Sequence, residues 1–235
     1  MAKFVIDPEF WAVFPDAQIN VLVVKDIDNH VSEDQGYFSE LLNGSAKDAA
    51  AFLTEEVFSQ NQVIDEWRKA FSKFKTKKGA RSSIEALLKR VSQNREFAPI
   101  NPLVDIYNSI SLKYAVPCGG EDLHKMAGDL HLGKAQGGEH FLPLGADEAA
   151  PALPEEIIYF DEEGAICRCL NWREAQRTML TEETTDAVLV IEAINSEQAA
   201  RANQAMNELK HLIETYFETE STAVILTKES SECEL

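Results

Sequence analysis

Seven polar residues between positions 108 and 177 have side chains that could act together: Asn108, Asp122, Glu139, Asn171, Arg173, Glu174 and Arg177. Carboxylates accept protons or hold cations, amides orient water or an ester, and guanidinium groups contact phosphate. The Asn171–Glu174 segment follows a stretch typical of a strand, so a rigid element would direct these side chains into a cleft. Each residue taken alone also fits a salt bridge or a turn.

Metal chemistry has little support in the sequence. Cys167 and Cys169 are two residues apart and would share one face of a strand. Three histidines are near them in the sequence: His124, His131 and His140. Neither CxxC nor HExxH is present, so we interpret the cysteines as free thiols and predict no metal.

Other catalytic motifs are also missing. The chain has no GxGxxG after a strand, no GxxxxGK[ST] and no GxSxG. We therefore predict no cofactor. A Cys118 nucleophile before Gly119 and Gly120, with a nearby histidine as its base, is an alternative that the spacing leaves open.

The charge is distributed unevenly. Forty acidic residues face 22 basic ones, giving a formal charge of −18, the wrong sign for a general nucleic-acid coat. Residues 61–95, however, carry +7, so the other 200 residues carry −25. This block is either a pair of solvated helix faces or a contact for an RNA backbone. The basic residues proposed for an RNA contact are Lys73, Lys75, Lys77, Lys78 and Arg81.

The composition is that of a folded protein. The 235 residues are 45% hydrophobic and 26% charged, which excludes a collagen, a disordered chain and a disulfide scaffold. No apolar run approaches the roughly 18 residues of a membrane helix, and the N-terminus lacks the features of a signal peptide. We therefore expect a cytoplasmic protein without membrane contact.

Apolar periodicity and capping residues predict several helices. Ser45 is placed as the N-cap of an alanine-rich helix to Gln62, and a second helix spans 63–78. Ser82 and Glu85 form a predicted capping box for a helix to about Val91. Further helices are expected over 103–110 and from a Ser196 cap to about 217.

Short β-branched runs predict the strands. The expected strands are Phe4–Ile6, Ile19–Val24, Asp129–Leu132, the hairpin of 156–160 and 165–170, Asp186–Ile191 and Thr222–Leu226. Pro117–Gly120 is interpreted as a tight connection, and Glu121–Met126 as a helical turn. The polar tail from Lys228 is expected to fray.

These elements predict an α+β fold, a β-rich core with helices packed outside. We expect one domain over 1–235. Its N-terminal strand and helical part would span about 1–97, its motif-rich core about 98–195, and its C-terminal helix and strand 196–228.

An ordered set of motifs resembles the B3/B4 domain of the phenylalanyl-tRNA synthetase β subunit. Asn101–Asn108 resembles the VD-x-x-N segment of that family, and Pro117–Met126 resembles its proline turn followed by D-L-x-K-I. Gly128, Gly138–Glu139 and Thr181–Thr184 continue the pattern. Trp67–Arg95 and Asn171–Thr178 resemble free-standing members of the family, which lack the rest of the synthetase.

The resemblance implies an editing chemistry, because the synthetase domain hydrolyses the ester of wrongly charged tyrosyl-tRNA. By the resemblance, Asn108 matches the editing-pocket asparagine, and Glu192 is nearest to the glutamate that contacts the tyrosine hydroxyl. Gly119 stands where the family has its editing histidine. Leu170–Glu174 replaces a glycine-rich pocket strand, so tyrosine specificity is not implied.

The site residues follow from these matches and from the polar set. The candidate catalytic residues are Asn108, Glu192 and Glu174. Asn108 would orient the ester or a water, and Glu192 or Glu174 would hold the amino group. The candidate substrate-binding residues are Tyr107, Gly119, Gly120, Asn171, Arg173 and Arg177. Arg173 would face the terminal phosphate or ribose.

Three functions remain open at this stage. The first is a stand-alone aminoacyl-tRNA editing factor, with tRNA or aminoacyl-tRNA as its partner and no DNA. The second is a binding module for RNA or aminoacyl-tRNA that does not hydrolyse it, which the glycine at position 119 favours. The third is a protein that binds or hydrolyses an amino acid or another small molecule, which the charge of −18 favours.

Overall fold

The computed structural model describes residues 2–31 and 35–235. Within these ranges it forms ten strands and six α-helices. The strands are β1 (Lys3–Ile6), β2 (Gln18–Val24), β3 (Cys118–Asp122), β4 (Leu130–Lys134), β5 (Ile157–Asp161), β6 (Gly164–Arg168), β7 (Arg173–Glu174), β8 (Ala187–Ala193), β9 (Ser221–Leu226) and β10 (Glu232–Glu234). The helices are α1 (Pro8–Val13), α2 (Gln35–Ala49), α3 (Gln62–Phe71), α4 (Ser83–Ser92), α5 (Pro102–Tyr114) and α6 (Ser196–Phe217).

Two sheets form the centre of the molecule. The larger has the strand order β10-β1-β4-β5-β6-β7, and the smaller has the order β3-β8-β2-β9. The smaller sheet is antiparallel, and its two central strands, β2 and β8, consist mostly of buried β-branched or leucine residues. In the larger sheet β1 runs parallel to β4, and the other pairs are antiparallel.

The two faces of the smaller sheet lie in different environments. Leu189 and Ile191 of β8 pack in one apolar cluster with α5 and α6, which cover that face. Val188, which precedes Leu189 in β8, belongs to a second cluster with Leu132 and Ile157 of the larger sheet. The observed architecture confirms the predicted α+β fold, a β-rich core with helices outside.

Local sequence explains how the helices near the cavity begin. The Ser82 hydroxyl accepts a hydrogen bond from Glu85 N, as the predicted capping box requires. The Glu85 carboxylate, however, pairs with Arg68 of α3 at 2.6 Å. The Asn101 side chain caps α5, and Pro102 occupies the first turn, where a missing N–H costs nothing.

Three of the predicted helices need correction. Ser45 is buried inside α2, which begins at Gln35 and is followed by two 3₁₀ turns instead of a helix to Gln62. Helix α3 ends at Phe71, well before residue 78. The cap of α6 is Asn195, whose side chain accepts from Gln198 N, and not Ser196.

Two segments predicted to be irregular are strands. Cys118–Asp122 is β3, not a tight connection leading into a helical turn, although Leu123–Lys125 does form a 3₁₀ turn. The C-terminal tail is not frayed, because β10 pairs with β1 and Leu235 is buried. The prediction of one domain over 1–235 stays a prediction. Strand pairing crosses both boundaries between its predicted parts, the one near residue 97 and the one near residue 195, because β2 pairs with β8 and with β9.

Candidate functional site

A cavity of about 360 Å³ lies between the two sheets. Strands β3 and β8 supply one wall, and strands β4 to β7 with the loop 170–172 supply the other. The cavity is lined by Ser83, Cys118, Gly119, Gly120, Glu121, Leu130, Leu144, Tyr159, Cys167, Leu170, Asn171, Trp172, Arg173, Glu174, Val188, Val190 and Glu192. Its volume is within the usual range for small-ligand sites, at the lower end.

The strand register sets the wall made by β3 and β8. Val188, Val190 and Glu192 alternate along β8 and therefore point to the same face. Glu121 pairs with Val188 across the strands, and Gly119 pairs with Val190. Glu121 and Glu192 thus stand at opposite ends of one face, with a glycine between them.

Glu192 is buried and held by two donors. The Tyr159 hydroxyl donates to its Oε1 atom at 2.6 Å, and the Asn171 amide donates to Oε2. Burial raises the pKa of Glu192 to about 7, although both hydrogen bonds favour the charged form. A carboxyl group that changes charge near neutral pH can either bind a cation or exchange a proton.

Glu174 comes from the short strand β7 on the opposite wall. Its Oε1 atom lies 3.7 Å from the point where a Cβ at Gly119 would stand. Burial raises the pKa of Glu174 to about 7. Because residue 119 is a glycine, space remains in front of the Glu174 carboxyl group.

Glu121 is the third carboxyl group of the cavity and is only 8% exposed. Burial raises its pKa well above the usual value, and the nearby charge of Glu174 raises it further. Its Oε2 atom is buried without a hydrogen bond of normal geometry among the described residues. Three carboxyl groups therefore share a cavity whose one cationic lining residue in the described chain is Arg173.

The two cysteines of the cavity are poor nucleophiles. Burial raises the pKa of Cys118 and of Cys167 well above the usual thiol value, so neither is a thiolate at neutral pH. Cys169 follows β6 with a positive φ of 49°, so Cys167 and Cys169 do not share a strand face as predicted. In the described ranges, no three His, Cys, Asp or Glu side chains are grouped as a metal site would require.

The mouth of the cavity adjoins the basic block. Ser83, the first residue of α4, donates its backbone N–H to Asn171 Oδ1 at 3.0 Å, so the start of α4 is fixed to the cavity wall. Arg173 is exposed, and its guanidinium group lies 5.2 Å from the centre of the Trp172 ring. The loop between α3 and α4 leads directly to Ser83.

This loop carries the basic residues predicted to contact RNA. The side chains of all five are exposed: Lys73, Lys75, Lys77, Lys78 and Arg81. Burial raises the pKa of Cys169 to about 12, and a hydrogen bond with the Lys77 backbone opposes part of this rise, so the loop contacts the segment that enters the cavity wall. The RNA contact itself stays a prediction.

The structure brings six of the predicted site residues together in this cavity: Gly119, Gly120, Asn171, Arg173, Glu174 and Glu192. Asn108 lies on α5 and is not among the lining residues, so its catalytic role stays a prediction. Tyr107 is buried beside the cavity, where the charges of Glu174 and Glu121 add to the effect of burial in raising its pKa.

Other members of the polar set have partners elsewhere. Arg177 pairs with Asp161 at 2.6 Å and does not line the cavity. Asp122 accepts hydrogen bonds from His124 N and the Thr184 hydroxyl, and Glu139 accepts from backbone N–H groups of its own turn. For Asp122 and Glu139 the structural interpretation made from the sequence agrees with these contacts.

Sequence reasoning missed Glu121 and Tyr159. The sequence predicts a helical turn at Glu121, which hides its alternation with Gly119 on a strand. Tyr159 is predicted only as part of a strand, although a tyrosine in a buried strand needs a partner for its hydroxyl. That requirement is the signal in the sequence for a polar site beside β5.

The fold and the cavity define an α+β protein with an acidic small-ligand cavity between two sheets. A comparison with protein families matches residues 66–228 to the family described as the B3/4 domain. This chain belongs to the B3/4 domain family. The comparison with curated proteins gives no match.

One solved structure similar to this chain is an N-terminal fragment of the phenylalanyl-tRNA synthetase β subunit from Pyrococcus horikoshii. The TM-score is 0.48 and the sequence identity is 12%, and the match covers 94% of this chain. It covers 53% of that fragment, so this chain spans about half of its length. Among the described residues, no helix has the length and apolar character needed to cross a membrane.

Proposed function

We propose that this chain hydrolyses the ester bond of aminoacyl-tRNA, with the amino acid bound in the cavity between the sheets. The observation that carries the proposal is the pair Glu174 and Glu192, two carboxyl groups on opposite walls whose pKa values are each raised to about 7 by burial. One carboxyl group suits a general base at neutral pH, and the other suits an α-ammonium group.

Glu192 is the proposed site for the α-ammonium group. Two donors, Tyr159 and Asn171, already stabilise its charged form, so an incoming cation completes the set of partners for a buried carboxylate. Phosphate groups would be repelled here. The RNA therefore stays outside the cavity, where Arg173 faces solvent and is proposed to meet the terminal ribose or phosphate.

Glu174 is the proposed general base. In the reaction, Glu174 takes a proton from a water molecule while the water oxygen attacks the ester carbonyl carbon. The bond between that carbon and the ribose oxygen then breaks, and the proton passes to the ribose oxygen. The products are the free amino acid and the uncharged tRNA, and Glu174 returns to its starting state.

The glycine at position 119 is consistent with this arrangement. The synthetase domain that the sequence motifs resemble has an editing histidine at the corresponding position, whereas here the Glu174 carboxyl group faces the space above the glycine. In this proposal Glu174 takes the role of the base. The exposed basic loop that leads to Ser83 supplies contacts for the RNA backbone.

A second function is favoured by the charge. A net charge of −18 together with three carboxyl groups in the cavity suits a protein that binds a small cationic molecule without RNA. Such binding would be insensitive to removal of the basic loop residues, whereas binding of aminoacyl-tRNA would weaken steeply as salt rises.

The test is to incubate the purified chain with total aminoacyl-tRNA, correctly and incorrectly charged, and to follow the loss of each aminoacyl ester over background. We expect selective deacylation of one species or a small group of species. Binding of the RNA without hydrolysis of any species would contradict the proposed chemistry and indicate a binding module. If the chain neither binds nor hydrolyses any aminoacyl-tRNA, the small-molecule function is favoured.

A further inference from the structure

The acidic groups of the cavity form two separate centres on the wall made by β3 and β8. Glu192 is four residues from Val188 on β8, and Glu121 pairs with Val188 across the strands. At about 3.3 Å per residue, the backbones at the two glutamates lie about 13 Å apart along the strand direction. Tyr159 and Asn171 serve only the first of these centres.

The second centre lacks a positive partner. Glu121 is more than nine-tenths buried, it lines the cavity, and its Oε2 atom makes no hydrogen bond of normal geometry within the described part of the chain. The neutral Thr178 hydroxyl lies close enough to lower the pKa of Glu121, but it brings no positive charge and makes no hydrogen bond of normal geometry within the described part of the chain. Arg177 lowers the pKa of Glu121 from a distance, but its guanidinium group is bound to Asp161.

An unsatisfied buried carboxyl group is costly in a folded protein. The neighbouring charge of Glu174 adds to the cost, since it further raises the pKa of Glu121. A ligand that brings a cation to Glu121 would relieve both effects. An unpaired carboxyl group in a ligand-sized cavity therefore indicates that the ligand carries a positive charge.

The β8 wall between the two centres is apolar. Val188 and Val190 line the wall between the two glutamates, and Leu130 and Leu170 also line the cavity. Gly119 adds no side chain to this stretch, and the Glu174 carboxyl group faces it from the opposite wall, 3.7 Å from the point where a Cβ would stand. A ligand that fits must carry a polar group at each end and methylene groups between them.

We propose that the cavity selects an aminoacyl group of the basic class, with an alkyl side chain that ends in an ammonium group, as in a lysyl residue. Glu192 binds the α-ammonium group, the aliphatic walls cover the methylene groups, and Glu121 binds the terminal ammonium group. This inference rests on the proposed function for the presence of an aminoacyl ester, but the binding of the amino acid can be measured without any hydrolysis.

The experiment is isothermal titration calorimetry on the full chain with L-lysinamide and L-norleucinamide, whose amides resemble the ester. The two probes have the same four-carbon side chain and differ by the terminal ammonium group. We expect lysinamide to bind at least tenfold more tightly, because the charged hydrogen bond to Glu121 is formed only by that probe. Ornithinamide against norvalinamide gives a second pair that requires no variant.

Three variants locate the effect. Glu121→Gln should abolish the preference for lysinamide and leave the affinity for norleucinamide within about twofold. Glu192→Gln should weaken the binding of both probes, since both carry the α-ammonium group. Glu229→Gln is the matched control, an exposed carboxylate in a turn far along the chain, and should change neither affinity.

Each outcome decides the inference. Equal affinity for the two members of a pair, no binding of any probe, or a preference that survives Glu121→Gln would overturn it. Deacylation of aminoacyl-tRNAs with neutral side chains, without a lysinamide preference, would leave the proposed function standing and remove this inference. A lysinamide preference without deacylation would support the cavity specificity and contradict the hydrolysis.

Discussion

The two adjacent glycines of β3 should respond oppositely to alanine, because they face opposite sides of the smaller sheet. A Cβ at Gly120 would stand 2.3 Å from Leu189 Cδ2, 3.0 Å from Leu180 Cδ1 and 3.3 Å from the Val188 carbonyl oxygen. Leu189 is fully buried, so its methyl group has no free space to move into. A Cβ at Gly119 would meet nothing closer than 3.7 Å.

The magnitudes follow from these contacts. Overpacking of a dense core typically costs about 1–3 kcal/mol, and we expect Gly120→Ala to lower the free energy of unfolding by that amount. Gly119→Ala should be neutral or stabilise by up to about 1 kcal/mol, since a glycine inside a strand is less favourable than alanine. For a chain of this size each kcal/mol shifts the melting temperature by roughly 2–4 °C.

The same pair separates stability from function. The Cβ of Gly119→Ala would lie beside Glu174 Oε1, in the space where the proposed attacking water must stand. We therefore expect Gly119→Ala to keep its stability and lose most of its deacylation activity.

Urea unfolding curves and deacylation rates of the two variants provide the assay. If Gly120→Ala is as stable as the wild type, or if Gly119→Ala loses as much stability as Gly120→Ala, the assigned strand faces are wrong. A Gly119→Ala variant with full activity would remove the proposed water position.

Three further predictions follow from other parts of the molecule. Arg168→Met leaves Glu156 as an unpaired buried charge, so urea unfolding should show a loss of about 3–5 kcal/mol. The raised pKa of Glu192 means that the native state keeps this proton at a pH where the unfolded chain has lost it. The stability that protonated Glu192 contributes is therefore present at low pH and is lost as the pH rises towards 7. The unfolding free energy of the wild type relative to Glu192→Gln should fall by about 3 kcal/mol between pH 4.5 and pH 8. If the basic loop contacts phosphates, Lys77→Ala combined with Arg81→Ala should reduce the slope of log Kd against log salt by about 1–2 for an RNA minihelix, and an unchanged slope would place the RNA elsewhere.

Local sequence predicts those elements whose residues alone favour the structure. The apolar run of β8 needs no distant partner to be recognised, and the serine at position 82 caps α4 whatever packs around it. The motif order also indicates the family, which the match over 66–228 confirms. Glu174 is a candidate from the sequence because polar residues after a predicted strand can face a cleft, and Glu192 is a candidate through the resemblance to the B3/B4 motifs.

The missed elements depend on distant partners. Cys118–Asp122 contains two glycines and two acids, so neither strand propensity nor alternation marks it; the segment is a strand because it pairs with the edge of β8. Strand β10 is polar and forms by pairing with β1, more than 200 residues away. The convergence of Glu121 with Glu174 requires both sheets to be in place, which no local pattern contains.

The central claim is that Glu174 acts as the base in ester hydrolysis, and one comparison of rates tests it most directly. Initial rates of deacylation are measured at pH 7.5 for the wild type, Glu174→Gln and the matched control Glu229→Gln, with urea unfolding to verify that all three are folded. We predict that the wild type and the control accelerate deacylation equally and that Glu174→Gln is slower by roughly 100-fold or more. A folded Glu174→Gln variant that hydrolyses the ester as fast as the wild type would contradict the account.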